Sequence, residues 1–168
     1  MPNNITNRLR LDGSQEEINN VFNFLKATEP NKDGKFECVD FNNIIRVPTE
    51  LNGDRLIHWC IDNWGTKWNA YKTFIVPEEN TLFFDTAWSG VPELMNFLAS
   101  KFPNVTFYYD YADEDISYNI GTWKFKGNEG WQKSIKENTK EAFELCFELG
   151  KCDKDEFELI NGNYSRKY

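Results

Sequence analysis

The chain has 168 residues, enough for one domain of ordinary size and too few for two full hydrophobic cores. Hydrophobic residues make up 40% and charged residues 27%, which excludes a disordered chain and a fibrous repeat. The net charge of -8 argues against direct nucleic-acid binding, because such proteins usually displace counterions from phosphates with clustered Lys and Arg. This acidic balance favours a basic partner.

The cysteines and the single histidine show no metal-binding pattern. Cys38, Cys60, Cys146 and Cys152 include no C-x-x-C pair, and His58 is the only histidine of the chain. We therefore expect free thiols in a reducing cytosol, with no metal and no cofactor. The start of the chain lacks the pattern of a signal peptide, and no apolar run approaches the ~20 residues of a membrane span. The expected protein is soluble and cytoplasmic, with no membrane association.

The first third of the chain predicts a strand, a helix and an irregular insertion. Apolar and polar residues alternate up to Leu11, which is the period of a half-buried strand. Ser14 and Glu17 form a capping box ahead of an amphipathic helix that ends before Pro30. Residues 31–69 then form the insertion, with a short helix ending near Gly65. Its apolar stripe is predicted from Ile57, Ile61, Trp64 and Trp68.

The rest of the chain predicts a hairpin, a helix and two further strands. Aromatic and β-branched runs at 71–76 and 81–88 form the hairpin, and a helix follows from Pro92 to the stop at Pro103. The last two strands cover 105–111 and 117–126, the second with a bulge predicted at Gly121.

The C-terminal segment predicts a final helix and a loosely held tail. Ser134 and Glu137 have the spacing of a capping box, and apolar residues continue at helical spacing to Leu149. The helix is expected to cover 132–149, with Gly150 ending it.

The predicted element order is βαββαβ with a C-terminal extension. This order indicates an α+β fold, an antiparallel sheet with both main helices on one face. We expect residues 1–131 to form the domain, with its insertion at 31–69, and residues 132–168 to pack on that domain as a C-terminal helix and tail.

Four carboxylates within six residues form the densest charge of the chain, at Asp110, Asp113, Glu114 and Asp115. We expect this acidic edge to project into solvent where two strands are joined and to bind a basic partner. The alternative is a solvated loop with no partner, because clustered acids often only face water.

A second group of residues combines tryptophans with polar side chains: Asn63, Trp64, Lys67, Trp68, Asp85 and Trp88. Such a group can line a ligand pocket, in which aromatic rings supply contact area and polar groups supply orientation. The alternative is that the tryptophans fill a small core while the polar groups cap helices and turns.

Two sequence runs carry a family resemblance, Asn-Trp-Gly-Thr-Lys-Trp-Asn-Ala at 63–70 and Phe-Asp-Thr-Ala-Trp-Ser at 84–89. Together with Asn7-Arg8-Leu9 and residues 41–45, they resemble the YubB-like family with a ferredoxin-like domain, small proteins encoded mainly by plasmids and phages. The resemblance covers about residues 1–126 and implies a ferredoxin-like fold. It implies no reaction, because members of the family generally lack an assigned activity.

These observations lead to two functional hypotheses. The first is a non-catalytic accessory protein of a phage or mobile element, acting in the cytoplasm of a bacterial host cell. It would bind a basic host protein or a defence complex, with an acidic edge that imitates nucleic acid as an anti-CRISPR protein does. The second is a small-ligand or nucleotide-binding protein, or an enzyme, that uses the Trp/Lys/Asp group as its pocket.

Overall fold

A computed structural model describes residues 2–168, which form one large sheet, four α-helices and a C-terminal hairpin. The strands of the six-stranded sheet are β1 (Asn4–Asp12), β2 (Tyr71–Val76), β3 (Thr81–Ala87), β4 (Thr106–Ala112), β5 (Gly121–Lys126) and β6 (Glu129–Lys133). The α-helices are α1 (Gln15–Leu25), α2 (Gly53–Trp64), α3 (Pro92–Lys101) and α4 (Lys140–Glu148). The hairpin consists of β7 (Phe157–Ile160) and β8 (Asn163–Arg166).

The main sheet is antiparallel, with strand order β2-β3-β1-β4-β5-β6. Its first four strands, with α1 and α3, have the βαββαβ order and the central β1 of a ferredoxin-like fold. Leu9 of β1 lies opposite Leu82 of β3 and Tyr109 of β4, so the first strand of the chain is the middle of the core. The predicted ferredoxin-like α+β fold is confirmed.

The two faces of β1 follow its alternating sequence. Ile5, Asn7, Leu9 and Leu11 are buried on the inner face, which packs against the main core, and Arg8 and its even-numbered neighbours lie on the outer face. The predicted cap of α1 is also confirmed, because the Ser14 side chain accepts a hydrogen bond from the Glu17 backbone N–H at 3.3 Å.

The predicted stripe of α2 is wrong in part. Cys60 and Trp64 are the buried residues of the helix, whereas Ile61 is exposed. The helix ends at Gly65, which has φ +78° and forms the left-handed cap that glycine favours. Trp68 therefore lies beyond the helix and does not belong to its stripe.

The prediction for residues 117–149 needs three corrections. The strand β5 starts at Gly121, which forms no bulge and instead lies against the ring of Tyr111. Residues 129–133 form β6, so the last helix does not begin at 132. The helix begins after Thr139, whose hydroxyl accepts from the Ala142 N–H, and Ser134 is not its cap.

The C-terminal segment covers part of the outer face of the sheet. Leu145, Cys146 and Leu149 of α4 form a small buried cluster with Ala112, and Phe83 packs against it. The tail was predicted to be loosely held, and this prediction is wrong. The strands β7 and β8 pair with each other, and their aromatic rings contact α4. These contacts involve Phe143, Phe147, Phe157 and Tyr164.

Within residues 2–168, no helix is both long enough and apolar enough to cross a membrane. In the same part of the chain, all four cysteines are free thiols. The described residues also contain no group of three or more His, Cys, Asp or Glu side chains that could hold a metal ion.

Candidate functional site

A buried polar network lies beneath one end of the sheet. The Asn7 side-chain amide donates to the Phe84 carbonyl at 3.1 Å and to the Thr86 hydroxyl at 2.9 Å. The Tyr109 hydroxyl donates to Asn7 Oδ1 at 2.6 Å and accepts from the Val91 N–H at 2.7 Å. Because each of these buried groups has a partner, the network fixes the path of the chain that follows β3.

Two loops are joined above this network. Thr66 Oγ1 donates to the Ala87 carbonyl at 2.8 Å and accepts from the Ala87 N–H at 3.1 Å. The Ser89 hydroxyl donates to the Gly65 carbonyl, and the Asn119 side-chain amide donates to the Trp88 carbonyl at 3.0 Å. The loop after α2 and the end of β3 are therefore held together by hydrogen bonds in which a side chain from each side binds the backbone of the other.

These loops present what we call the aromatic clamp, formed by Lys67, Trp68 and Trp88. The Lys67 ammonium lies 4.8 Å from the ring centroid of Trp68 and 4.5 Å from that of Trp88. Both indoles remain open to solvent, with 39% of Trp68 and 47% of Trp88 exposed. Each distance lies within the ~6 Å range of a cation–π interaction.

The other three residues of the predicted Trp/Lys/Asp group lie elsewhere. Trp64 is 3% exposed, and its indole N–H donates to the Ile45 carbonyl at 2.9 Å, so it belongs to the core. Asn63 donates to the carbonyl of Trp59 within its own helix. Asp85 lies on the outer face, 3.6 Å from the Lys72 ammonium. The structure thus brings together only Lys67, Trp68 and Trp88.

Two carboxylates of the predicted acidic edge do not project into solvent. Asp110 lies on the outer face, where its Oδ2 accepts from Arg8 Nη2 at 2.7 Å. Asp113 is 4% exposed and accepts from the side-chain amides of Asn3 at 3.0 Å and Asn119 at 2.6 Å. The expectation of four solvent-facing acids is wrong for these two, because each is held by hydrogen bonds that order its strand or loop.

Glu114 and Asp115 are the exposed acids of the segment. The Asn4 side chain donates to Glu114, and this hydrogen bond holds the pKa of Glu114 below its ordinary value. Asp115 accepts from Asn3 at 3.3 Å. The N-terminal end of β1 therefore orients both carboxylates.

An open cleft of about 1400 Å³ runs beside β2, between the loop after α1 and the N-terminal residues. Trp68 of the aromatic clamp and Glu114 of the acidic segment both line it. Phe36, 55% exposed, adds a second aromatic ring. One surface thus joins a member of each predicted residue group.

Acidic residues predominate among the charged residues of the cleft. Three of its charged residues are lysines, Lys32, Lys35 and Lys72. Five are carboxylates, Glu29, Asp33, Glu37, Asp40 and Glu114.

The surroundings of the cleft shift the pKa of two of its side chains, Glu37 and Tyr71. Burial alone would raise the pKa of Glu37, but hydrogen bonds from Thr73 and Asn31 lower it overall. Burial, with Asp85 and Glu114 nearby, raises the pKa of Tyr71 to about 12. At neutral pH, Tyr71 therefore keeps its proton and can form hydrogen bonds in the cleft, and Glu37 is an anion.

Sequence reasoning missed Phe36 and Tyr71 as cleft residues. Phe36 could have been found, because it follows the Asp33-Gly34 turn and belongs to no strand or helix pattern of apolar residues, which suggests an exposed aromatic ring. Tyr71 carried no such signal, since aromatic residues are ordinary in strands.

The comparisons with known proteins give one family. The family described as the ferredoxin-like domain in Api92-like protein matches residues 63–154, more than half of the chain. The matched segment includes the aromatic clamp, Glu114 and Asp115. No curated protein and no solved structure matches the chain.

Proposed function

We propose that this chain, which belongs to the family of the ferredoxin-like domain in Api92-like protein, is a non-catalytic accessory protein that binds a basic host protein. The resemblance of residues 63–70 and 84–89 to the YubB-like family supports a phage or plasmid origin. It also supports action in the cytoplasm of a bacterial host.

The cleft is the observation that carries the proposal. Its volume of about 1400 Å³ exceeds the ~300–1,000 Å³ of most small-molecule pockets, and it is open along one side. An extended protein segment suits such a surface better than a small ligand. Two exposed rings, Phe36 and Trp68, offer the kind of aromatic contact that often dominates an interface.

Charge selects a basic segment as the partner. The excess of carboxylates in the cleft agrees with the overall charge of -8, so both the local and the long-range field attract cations. Complementary charge mainly raises the association rate and is screened over a Debye length of about 8 Å at physiological salt. Binding should therefore slow as salt rises.

Nucleic-acid mimicry by the acidic segment stays a prediction. A mimic needs a series of exposed carboxylates, and residues 110–115 contribute two, Glu114 and Asp115. The small-ligand alternative also stays a prediction, with three of its six residues gathered at the aromatic clamp.

The test is association with a basic partner captured from host lysate, and with a short Lys/Arg-rich peptide as a defined probe. One variant removes three of the five carboxylates of the cleft, by Glu29→Gln, Asp33→Asn and Glu114→Gln. Its matched control removes three exposed charges outside the cleft, by Asp62→Asn, Glu78→Gln and Glu158→Gln.

We expect the cleft variant to associate more slowly than the control and to lose most of the salt dependence. Equal association rates for the two variants, at low and at physiological salt, would overturn the cleft as the partner site. A captured partner that is acidic would overturn the proposal itself.

A further inference from the structure

We propose that the aromatic clamp is a cation-binding site that Lys67 occupies in the free protein, and that a Lys or Arg side chain of the partner displaces it. This inference rests on the proposed function, because it names the group of the basic partner that the surface recognises. Beyond that function, it assigns a binding site (the aromatic clamp), a ligand class (Lys or Arg side chains) and an internal competitor (Lys67).

The first support is geometric. One ammonium contacts two indole rings at 4.8 Å and 4.5 Å, and the faces of aromatic rings carry the negative end of their quadrupole. Two tryptophans around one cation form the arrangement by which proteins recognise ammonium and guanidinium groups. The site is therefore already built for a cation.

The second support is that only the indoles hold Lys67. No carboxylate of residues 2–168 lies within ion-pair distance of its ammonium, although six ion pairs occur elsewhere in that part of the chain. Lysine carries its charge on a flexible four-carbon stem. A rotation of that side chain empties the clamp without moving the backbone.

The third support is that hydrogen bonds hold the backbone of one wall, Trp88. Trp88 has φ +74°, a left-handed conformation that is uncommon for a bulky residue. The reciprocal bonds between Thr66 and Ala87, with the bond from Asn119 to the Trp88 carbonyl, hold it there. Strained backbone that neighbouring bonds enforce is typical of binding surfaces. The backbone that carries the Trp88 ring thus stays in place when the occupant changes.

The fourth support is position. Trp68 lines the cleft as well as the clamp, so a basic segment lying in the cleft passes beside the Trp68 indole. A Lys or Arg side chain of the partner then replaces Lys67 between the indoles, and the Lys67 side chain moves into solvent. Lys67 therefore lowers the affinity for every cation that enters.

The outer face provides a matched control. Lys124 lies between Tyr108 and Trp131, at 5.8 Å and 5.6 Å from their ring centroids, which is a looser arrangement than the clamp. It lies on β5, near the edge of the sheet opposite the β2 edge that the cleft follows. Trp131 is 48% exposed, close to the exposure of Trp88. Lys124→Ala removes the same positive charge as Lys67→Ala does, from a more exposed position.

The first experiment uses tetramethylammonium and the Lys/Arg-rich peptide, with the indole N–H resonances of each tryptophan as the readout. In the wild type, the peptide should shift the resonances of Trp68 and Trp88. In Lys67→Ala, both probes should bind roughly 5- to 30-fold more tightly, the factor that corresponds to an occupant held by a cation–π interaction. Lys124→Ala should leave both affinities unchanged.

The second experiment removes the walls. Trp68→Leu in the Lys67→Ala background keeps apolar bulk but removes one ring face, and it should return the affinity to the wild-type value or below. Trp88→Phe provides a second variant that keeps a ring and should bind with intermediate affinity. Unchanged binding in both, with wild-type circular dichroism, would overturn the clamp.

The two proposals fail separately. If the cleft variant loses the basic partner while Lys67→Ala and Trp68→Leu bind it as the wild type does, the clamp proposal is wrong and the proposed function stands. If tetramethylammonium shifts the clamp indoles but no basic partner shows salt-dependent association, the clamp stands and the proposed function is wrong.

Discussion

At the scale of single residues, Trp64 and Trp68 test the division between core and surface. Trp64 is buried, with its ring 5.6 Å from Phe41 and 5.5 Å from Trp59, whereas Trp68 is 39% exposed. Trp64→Ala should therefore lower the free energy of unfolding by about 3–5 kcal/mol. Trp68→Ala should change it by less than about 1 kcal/mol. Urea denaturation of both variants measures the difference, and equal losses would contradict this assignment.

Packing against Tyr111 explains two glycines, Gly90 and Gly121. A Cβ at Gly90 would lie 2.4 Å from the Tyr111 ring, and a Cβ at Gly121 would lie 2.3 Å from it. Because both distances are far shorter than a van der Waals contact, Gly121→Ala should cost about 1–3 kcal/mol through overpacking. Gly13→Ala is the control, because its Cβ would meet Val105 at an ordinary 3.4 Å. Thermal unfolding should rank the two variants, and a Gly121→Ala protein as stable as Gly13→Ala would disprove the packing argument.

At the scale of elements, Arg8 links two strands and a helix. Arg8 of β1 donates to Asp110 of β4 through Nε at 3.0 Å and Nη2 at 2.7 Å, and also to Glu148 of α4 at 3.1 Å. Asp110→Asn should therefore cost about 1–3 kcal/mol, since it weakens charged hydrogen bonds of a partly buried arginine. Asp115→Asn, on the exposed loop, should change stability by less than about 0.5 kcal/mol. Chemical denaturation compares them, and a neutral Asp110→Asn would mean that Glu148 alone satisfies Arg8.

The loop after α1 depends on Glu37 for its attachment to β2. Thr73 donates to Glu37 through its backbone N–H and its hydroxyl, and Asn31 donates at 2.8 Å. Because the folded state lowers the pKa of Glu37 from 4.5, the unfolded chain binds its proton more tightly. This stabilisation is present above pH ~4.5 and is lost as the pH falls toward the lower folded value.

Glu37→Gln should therefore flatten the loss of stability between pH ~5 and pH ~3, as urea midpoints across that range would show. Thr73→Val keeps the shape of its side chain but removes one donor, so its profile should lie between those of the wild type and Glu37→Gln. Identical acid profiles for all three proteins would contradict the attachment.

Local sequence predicted the elements whose own residues decide their structure. The alternation of β1, the cap of α1 and the prolines around α3 are local signals, and all were confirmed. The strand β6 was missed because all of its five residues are exposed, so it has no apolar period to detect. Its pairing with β5 decides its structure, and pairing is not visible in a single segment.

The candidate site was predictable only as a list of residue types. Asp113 was placed in solvent because its partners, Asn3 and Asn119, lie far from it in sequence or in an irregular loop. The aromatic clamp depends on the left-handed Trp88 backbone, for which tryptophan carries no propensity. Such features depend on tertiary contacts, which cannot be predicted from the amino-acid composition or from the spacing of apolar residues.

At the scale of the whole molecule, the sheet has cover on both faces. The core on the inner face contains α1 and α3, and α4 with the C-terminal hairpin covers a smaller apolar patch on the outer face. A chain ending at Lys133 would expose that patch. We expect it to bind a hydrophobic dye more strongly than the full chain and to melt at a lower temperature. Equal dye fluorescence from the two proteins would mean that the outer patch needs no cover.

The central position of β1 also sets an order of events during synthesis. Its neighbours are β3 and β4, so one edge stays unpaired until β3 ends at Ala87, and the other until all 100 residues from 13 to 112 have been made. At roughly 5–20 residues per second, that interval lasts about 5–20 s. An apolar strand with open edges is a template for aggregation during this time. The nascent chain therefore depends on α1, which completes within the next thirteen residues, to shield the inner face of β1 while its partner strands are still being translated.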